Sequence, residues 1–226
     1  MHQFPIYLDA AATTPVSPSA AALAFKVMTE EFGNAGSRTH QFGIRGREYV
    51  EEARRQLAFI LNSKPQEIVF TSGATESNNI AILGLEDFGR RTRRQHIIST
   101  PIEHKAVLEP LARMQERGFE VEFVGVDHHG RVDPLEIAEK IRTETLLVSV
   151  MAANNETGSI QPLEAIAEYL NEDTIFHVDA SQAFLKMPEL ERITRINLIA
   201  ISGHKFGAPK GIGALAVRGL DEREVV

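Results

Sequence analysis

The chain alternates between two textures, and that alternation restricts the fold more than any other feature. Short apolar, β-rich runs stand at "EIVF" (67–70), "HIIST" (96–100), "VEFVGV" (121–126), "LLVSVM" (146–151), "IFHVDA" (175–180), "NLIAIS" (197–202) and "IGALAV" (212–217). Most of the intervals between them carry helical periodicity. Residues 46–61 put Tyr49, Val50, Ala53, Leu57, Ile60 and Leu61 on one helical face. The stretch 17–33 has Ser17 as N-cap, Pro18 at the first helical position and Gly33 as a stop. Residues 133–142 repeat the Asp-Pro start, and 162–170 form another amphipathic segment. Strands alternating with helices predict βα crossovers. The expected fold is α/β, a mostly parallel sheet of about seven strands with helices on both faces. Residues 203–211, which join the last two runs, are too few for a parallel crossover, so one of that pair is expected to run antiparallel.

Composition narrows the function. Of the 226 residues, 43% are hydrophobic and 24% charged, the balance of a soluble globular protein with a sizeable core. The net charge of −7 argues against a general nucleic-acid surface. The basic cluster "GRRTRRQH" (89–96) reads as a solvated loop, with a docking patch for an acidic partner as the minority reading. There is no cysteine, which excludes disulfides, thiolate metal sites and a cysteine nucleophile within these residues. The opening residues lack the basic and apolar regions of a secretory signal, and no apolar run reaches the length of a membrane span. A cytoplasmic location is the expectation.

In open α/β sheets, ligands bind beyond the carboxyl ends of the strands. After 67–70 comes "TSGATESNN" (71–79), where Gly73 permits a tight turn and the N–H groups of Ala74 and Thr75 open a helix. That is an anion site or, more simply, a helix capped by Thr75 or Ser72. After 96–100 come Glu103 and His104 at another helix start. After 146–151 come Asn154 and Asn155, turn residues whose amides can also reach a ligand. Asp179 ends an apolar strand, with Gln182 three residues on; a carboxylate there needs a cation or donors, or else caps the next helix. "SGHK" (202–205) then sets Lys205 at the mouth of the sheet, beside His204 and before "GAPKGIG" (207–213). Partial burial next to another cation would lower the lysine's pKa and make its amine nucleophilic. Individually these signals are weak. Together they meet the needs of pyridoxal 5′-phosphate (PLP): an imine-forming lysine, a carboxylate for the pyridinium nitrogen, an anion site, a group against the ring face and a donor to the phenolic oxygen.

The stretches "YLDAAATTPV", "FGNAGSRTHQFG", "EIVFTSGATESNNIAI", "EHKAVLEP", "NNETGSIQP", "HVDASQAF" and "SGHKFGAPKGIGAL" resemble, in order and spacing, the NifS/IscS-like cysteine desulfurases of class V of the PLP-dependent aminotransferases. The resemblance covers essentially the whole chain. It implies the large domain of PLP fold type I over residues 17–226. Residues 1–16 would be an N-terminal segment that can belong to an incomplete small domain. It also implies residue roles. Lys205 would form the Schiff base and move the α-proton; Thr75, Ser202, His204 and the backbone at Ala74 would hold the phosphate. His104 would stack on the ring and act in proton transfer, Asp179 would pair with the ring nitrogen, and Gln182 would bond the phenolic oxygen. Asn155 would lie near that oxygen and the substrate. No metal is implied. In such enzymes L-cysteine yields L-alanine, and a cysteine thiolate takes the sulfur as a persulfide for delivery to an acceptor, as in iron–sulfur biogenesis.

Two departures accompany the resemblance. Ala35 stands where the family usually has proline. Family members also continue beyond the lysine strand, into a loop with the catalytic cysteine, an arginine for the substrate carboxylate and most of the small domain. The expected partners are therefore L-cysteine, a second copy in a homodimer, a sulfur acceptor and a second polypeptide carrying the cysteine; neither membrane nor direct nucleic-acid contact is expected. The alternatives are a selenocysteine lyase or other class V β-lyase, whose chemistry needs no enzyme thiol, and a non-catalytic PLP-fold module that binds a sulfur-transfer partner.

Overall fold

The structure, a computed structural model, describes residues 5–220. Residues 1–4 and 221–226, the outer ends of the two predicted units, lie outside the described residues. Seven strands form one sheet: β1 (Ile68–Thr71), β2 (His96–Ser99), β3 (Glu120–Phe123), β4 (Thr145–Ser149), β5 (Ile175–Asp179), β6 (Leu198–Ser202) and β7 (Gly213–Val217). Their order is β1-β7-β6-β5-β4-β2-β3. Only β7 runs against the rest, pairing antiparallel with both β1 and β6. The predicted reversed strand is thus the last one, as the short connection requires.

Five of the seven strands are central, and β4, β5 and β6 are buried along their whole length. Such strands need cover on both sides. One face is covered by α3 (Ala74–Leu83) and α5 (Lys105–Glu116), whose Ile82, Val107, Leu111 and Met114 pack on Ile97, Leu147 and Leu215. The opposite face is covered by the end of α2 (Gln41–Ile60), α6 (Pro134–Lys140) and α7 (Leu163–Tyr169), with Ala58, Ile137 and Ile166 against Val148, Phe176, Val178 and Ile199. The helix starts obey the sequence signals. Ser17 accepts from Ala20 N–H at the head of α1 (Pro18–Thr29), and Asp133 accepts from Leu135 N–H at the head of α6.

Several boundaries differ from expectation. Helix α1 ends at Thr29, before Gly33. A Cβ on Gly33 would lie 2.0 Å from the Phe42 carbonyl oxygen, so this glycine serves a close backbone approach and not a helix stop. Helix α2 begins at Gln41 rather than 46, because His40 Nδ1 accepts from Gly43 N–H and caps it. Its expected apolar face is only partly covered, and Val50 is exposed. The basic cluster is not simply a solvated loop. A further helix, α4 (Glu86–Thr92), includes Arg90 and Arg91; Arg90 pairs with Glu86, and Arg94 donates to the Thr145 carbonyl.

The register sets the functional end of the sheet. Thr71 and Ser202 both pair with Gly213, so the turn after β1 and the turn after β6 lie side by side. A Cβ on Gly213 would sit 2.6 Å from Gly73 Cα and 2.6 Å from the Ile201 carbonyl oxygen. Both neighbours are backbone, so neither can rotate away. Gly213→Ala is expected to destabilise the chain by about 1–3 kcal/mol, read as a lower urea midpoint with an unchanged slope.

The N-terminal quarter is covered differently. No residue of α1 is buried, and Phe25, Met28, Phe32 and Phe42 are exposed, with Phe32 and Phe42 stacked at 5.7 Å. Exposed large apolar side chains at this density favour association. Static light scattering of the purified chain is expected to give a dimer or larger species; a clean monomer would contradict it.

Candidate active site

The carboxyl ends of the parallel strands surround a cavity of about 530 Å³. All nine positions expected to contact a cofactor line it: Ala74, Thr75, His104, Asn155, Asp179, Gln182, Ser202, His204 and Lys205; Glu103 and Asn154 do not. They end or follow five different strands, β1, β2, β4, β5 and β6, whose carboxyl ends lie at one end of the sheet.

The anion-site end is the N-terminus of α3. Its N-cap is Gly73, and no side chain caps it. Neither Thr75 nor Ser72 plays the capping role considered from the sequence; Ser72 instead donates its N–H and hydroxyl to Glu76, at 2.6 and 2.7 Å. The first N–H groups of a ten-residue helix therefore face the cavity with the positive end of its dipole. Ser202, buried at the end of β6, stands beside this turn.

Lys205 follows at the base of the next turn. Its ammonium donates to the carbonyls of Ala11 and Ala12, at 2.6 and 2.9 Å. Burial, followed by the nearby Lys186 charge, lowers its pKa. The second cation is therefore Lys186, not the adjacent His204, whose own pKa is lowered by burial and then by Lys205. The N-terminal segment crosses this turn as a strap. Thr14 N–H donates to the His204 carbonyl at 2.8 Å, His204 Nδ1 and Thr13 Oγ1 are 3.0 Å apart, and Ser17 N–H donates to Gly207 O at 2.8 Å. Gly207, at φ +92°, takes the left-handed conformation that brings its N–H to Thr14 Oγ1. Gln182 Nε2 also donates to Ala11 O, at 2.8 Å. Lysine and glutamine thus share one carbonyl of the strap.

Asp179 is buried at the end of β5. Its Oδ2 accepts from Asn78 Nδ2 at 2.8 Å and its Oδ1 from Ser181 N–H at 2.9 Å. On the other flank, His104 is the N-cap of α5: its Nδ1 accepts from Ala106 N–H at 3.1 Å. An accepting Nδ1 carries no proton, so the ring's proton sits on Nε2. Asn155 lines the cavity and donates to Glu156 at 2.9 Å, whereas Asn154 is a turn residue: its Oδ1 accepts from Glu156 and Thr157 N–H and its Nδ2 donates to Ile102 O.

Sequence reasoning passed over the buried polar groups behind these residues. Glu103 was seen only as part of a helix start. Its Oε1 accepts from Thr100 Oγ1 at 2.9 Å and Met151 N–H at 2.8 Å, which ties the His104 turn to the end of β4. Its Oε2 is buried and unpaired, and burial pushes its carboxyl up to about 8, with the Asp179 charge adding to the rise. Asn78, His177 and Ser149 were also missed, and all three are buried. A signal was available: His177 lies two residues before Asp179 on one strand and so shares its face. At the far end of the sheet, His96, Glu120 and Glu122 approach one another, but both carboxylates are ion-paired, Glu120 with Arg142 and Glu122 with Lys140.

The family profile "Aminotransferase class-V" matches residues 6–223. A cysteine desulfurase IscS of Neisseria meningitidis (serogroup C, serotype 2a) is 48% identical over 215 residues, covering 95% of this chain and 53% of the relative. Among solved structures, DndA from Streptomyces lividans is 52% identical with a TM-score of 0.85, covering 98% of this chain and 62% of that one. A structure described as SspA in complex with cysteine is 37% identical with a TM-score of 0.89, covering 97% and 63%. The chain spans about half the length of the curated relatives it matches.

Proposed function

The chain belongs to the class-V aminotransferase family, and from that premise we propose that it is the PLP-binding portion of a cysteine desulfurase. It would act on L-cysteine to give L-alanine and pass the sulfur on, with the accepting thiol supplied by polypeptide outside these 226 residues, which contain no cysteine. The observation that carries this reading is the convergence on one cavity of Lys205, Asp179, His104 and the uncapped start of α3. The cavity volume lies in the range of small-molecule sites. The donor set suits PLP: an amine, a carboxylate, an imidazole and an anion-binding helix end. The similarity to IscS-type desulfurases and to SspA, which binds cysteine, supports the substrate.

When bound, PLP supplies an electron sink for a carbanion at the substrate Cα. The residues of the chain supply the rest. The α3 N-terminus, with Thr75, Ser202 and His204, would hold the phosphate. Asp179, fixed by two donors, presents a stationary negative charge for the ring nitrogen. Lys205 would supply the linking amine and a base for the α-proton; its lowered pKa enlarges the fraction that is neutral and reactive. His104 holds a proton at Nε2 on the other flank. To take up these roles, Lys205 and Gln182 must leave the Ala11 carbonyl, so the strap 11–14 would adjust on cofactor entry. Residues 11–17 hydrogen-bond to the lysine turn, and this segment would act with the large domain.

The test is alanine formation. The chain loaded with PLP is incubated with L-cysteine, alone and with the C-terminal half of the Neisseria relative as a separate polypeptide. Alanine and protein persulfide are expected only in the mixture. Pyruvate and sulfide from the chain alone, or turnover of L-selenocysteine but not L-cysteine, would overturn the desulfurase reading in favour of a β-eliminating lyase, which needs no thiol.

A further inference from the structure

Behind Asp179 runs a line of buried polar groups that the proposed chemistry does not use. Asn78, on α3, spans from Asp179 to His177 on β5; His177 continues to Ser149 on β4. All four residues are buried, and His177, Ser149 and Asn78 are wholly so. Each contact is within hydrogen-bond range: 2.8 Å from Asn78 Nδ2 to Asp179 Oδ2, 3.1 Å between His177 Nε2 and Asn78 Oδ1, and 2.8 Å between Ser149 Oγ and His177 Nδ1.

The chemistry of the ends fixes the direction of every link. An ionised carboxylate only accepts, so Asn78 must turn its NH₂ toward Asp179. Its carbonyl oxygen then faces His177 and requires a donor there. His177 must therefore carry its proton on Nε2, leaving Nδ1 to accept from the Ser149 hydroxyl. We propose that Asn78 and His177 are positioning residues for Asp179, a one-way hydrogen-bond chain in which a neutral, Nε2-protonated His177 locks the Asn78 amide so that it can only donate to the carboxylate. This rests on the reading of Asp179 as the partner of a cofactor ring nitrogen.

Two features make the chain suited to that task. The imidazole is held neutral, because burial takes its pKa down to about 4. No cation among the hydrogen-bonded groups behind Asp179 then competes with a ring nitrogen for its charge. The Asn78 amide is also unable to flip, since flipping would set its oxygen against the carboxylate and its NH₂ against the His177 N–H. In an interior where an unmatched polar pair is strongly unfavourable, two such clashes suffice to fix one orientation. Ser181 N–H holds the second carboxylate oxygen, so the carboxylate plane is set at both ends.

The first experiment needs no cofactor. Long-range ¹H–¹⁵N correlation spectra of the chain at pH 7, with His177 assigned by its absence in His177→Gln, should show a neutral ring protonated on Nε2. A ring protonated on Nδ1, or an imidazolium, would overturn the proposal. The second experiment measures PLP affinity by absorption titration. His177→Gln retains a donor near the Nε2 position and is expected to bind PLP within about threefold of the parent. His177→Asn and Asn78→Leu lose the donor chain and are expected to bind about tenfold to a hundredfold more weakly, the scale of one hydrogen bond to a charged group. Equal affinity in all four proteins would contradict the positioning role. If even the parent fails to bind PLP, the cofactor reading falls while the spectra still decide the state of His177.

Discussion

Asp179→Ala is expected to weaken PLP binding by about a hundredfold to a thousandfold, the penalty for removing one member of a buried charge pair. The loss has two sources. The ring nitrogen of the bound cofactor would have no anion to pair with, and Asn78 Nδ2 and Ser181 N–H would each lose an acceptor inside the protein. The second source also lowers stability in the absence of cofactor. Asp179→Asn separates the two, because its amide oxygen can still accept from one donor while the charge is gone. Its stability should fall less than that of the alanine variant, and its PLP affinity should fall nearly as far. Absorption titrations and urea unfolding of both variants check this. Undiminished PLP affinity in either variant would remove Asp179 from the site.

The second large effect concerns Glu103 and pH. Its carboxyl is near 4.5 when unfolded and is pushed up to about 8 in the fold, by burial first and by the Asp179 charge as well. Below about 4.5 both states hold the proton and the buried group carries no penalty. As pH rises from there toward 8, the unfolded chain releases the proton while the folded chain keeps it, so stability falls by up to about 1.4 kcal/mol per pH unit. Across the window the loss is on the order of a few kcal/mol. Glu103→Gln keeps an oxygen for Thr100 and Met151 N–H but cannot ionise. The parent is therefore expected to lose stability relative to Glu103→Gln between pH 5 and pH 8, measured by urea unfolding at each pH. Histidine titrations are common to both proteins and cancel in the difference. Parallel curves would show that Glu103 ionises as an ordinary carboxyl.

How far the sequence disclosed this architecture depended on the kind of signal. Strands were legible because β4, β5 and β6 are covered on both faces, and a doubly buried strand must be an unbroken apolar run. That one of β6 and β7 runs antiparallel was legible from the short connection between them; which of the two it is was not. Most of the cavity-lining residues were legible because they are polar residues at or just beyond the end of an apolar run, where an α/β sheet opens to ligands. Helix boundaries in the first 61 residues were less so. A histidine is an unusual N-cap, which hid the start of α2, and Gly33 proved to mark a close contact with Phe42 in space.

The buried polar groups were the hardest to see. Asn78 sits inside a helix and reads locally as a weak helix former; its role exists only because β5 lies beneath it. Glu103 reads as an ordinary acidic residue near a helix start, and only the packing of the Thr100 turn against Met151 makes it a buried acid. The shared grip of Lys205 and Gln182 on Ala11 depends on a contact across some 170 to 194 positions of sequence, beyond the reach of any local pattern.

The most direct measurement is the visible absorption spectrum of the purified chain after addition of PLP, beside that of Lys205→Ala. The account predicts the band of a lysine-linked cofactor in the parent and its loss in the variant, with free PLP recovered from the variant by gel filtration. The absence of a band in the parent, or a band of equal strength in Lys205→Ala, would contradict the assignment of this cavity as a PLP site built around Lys205.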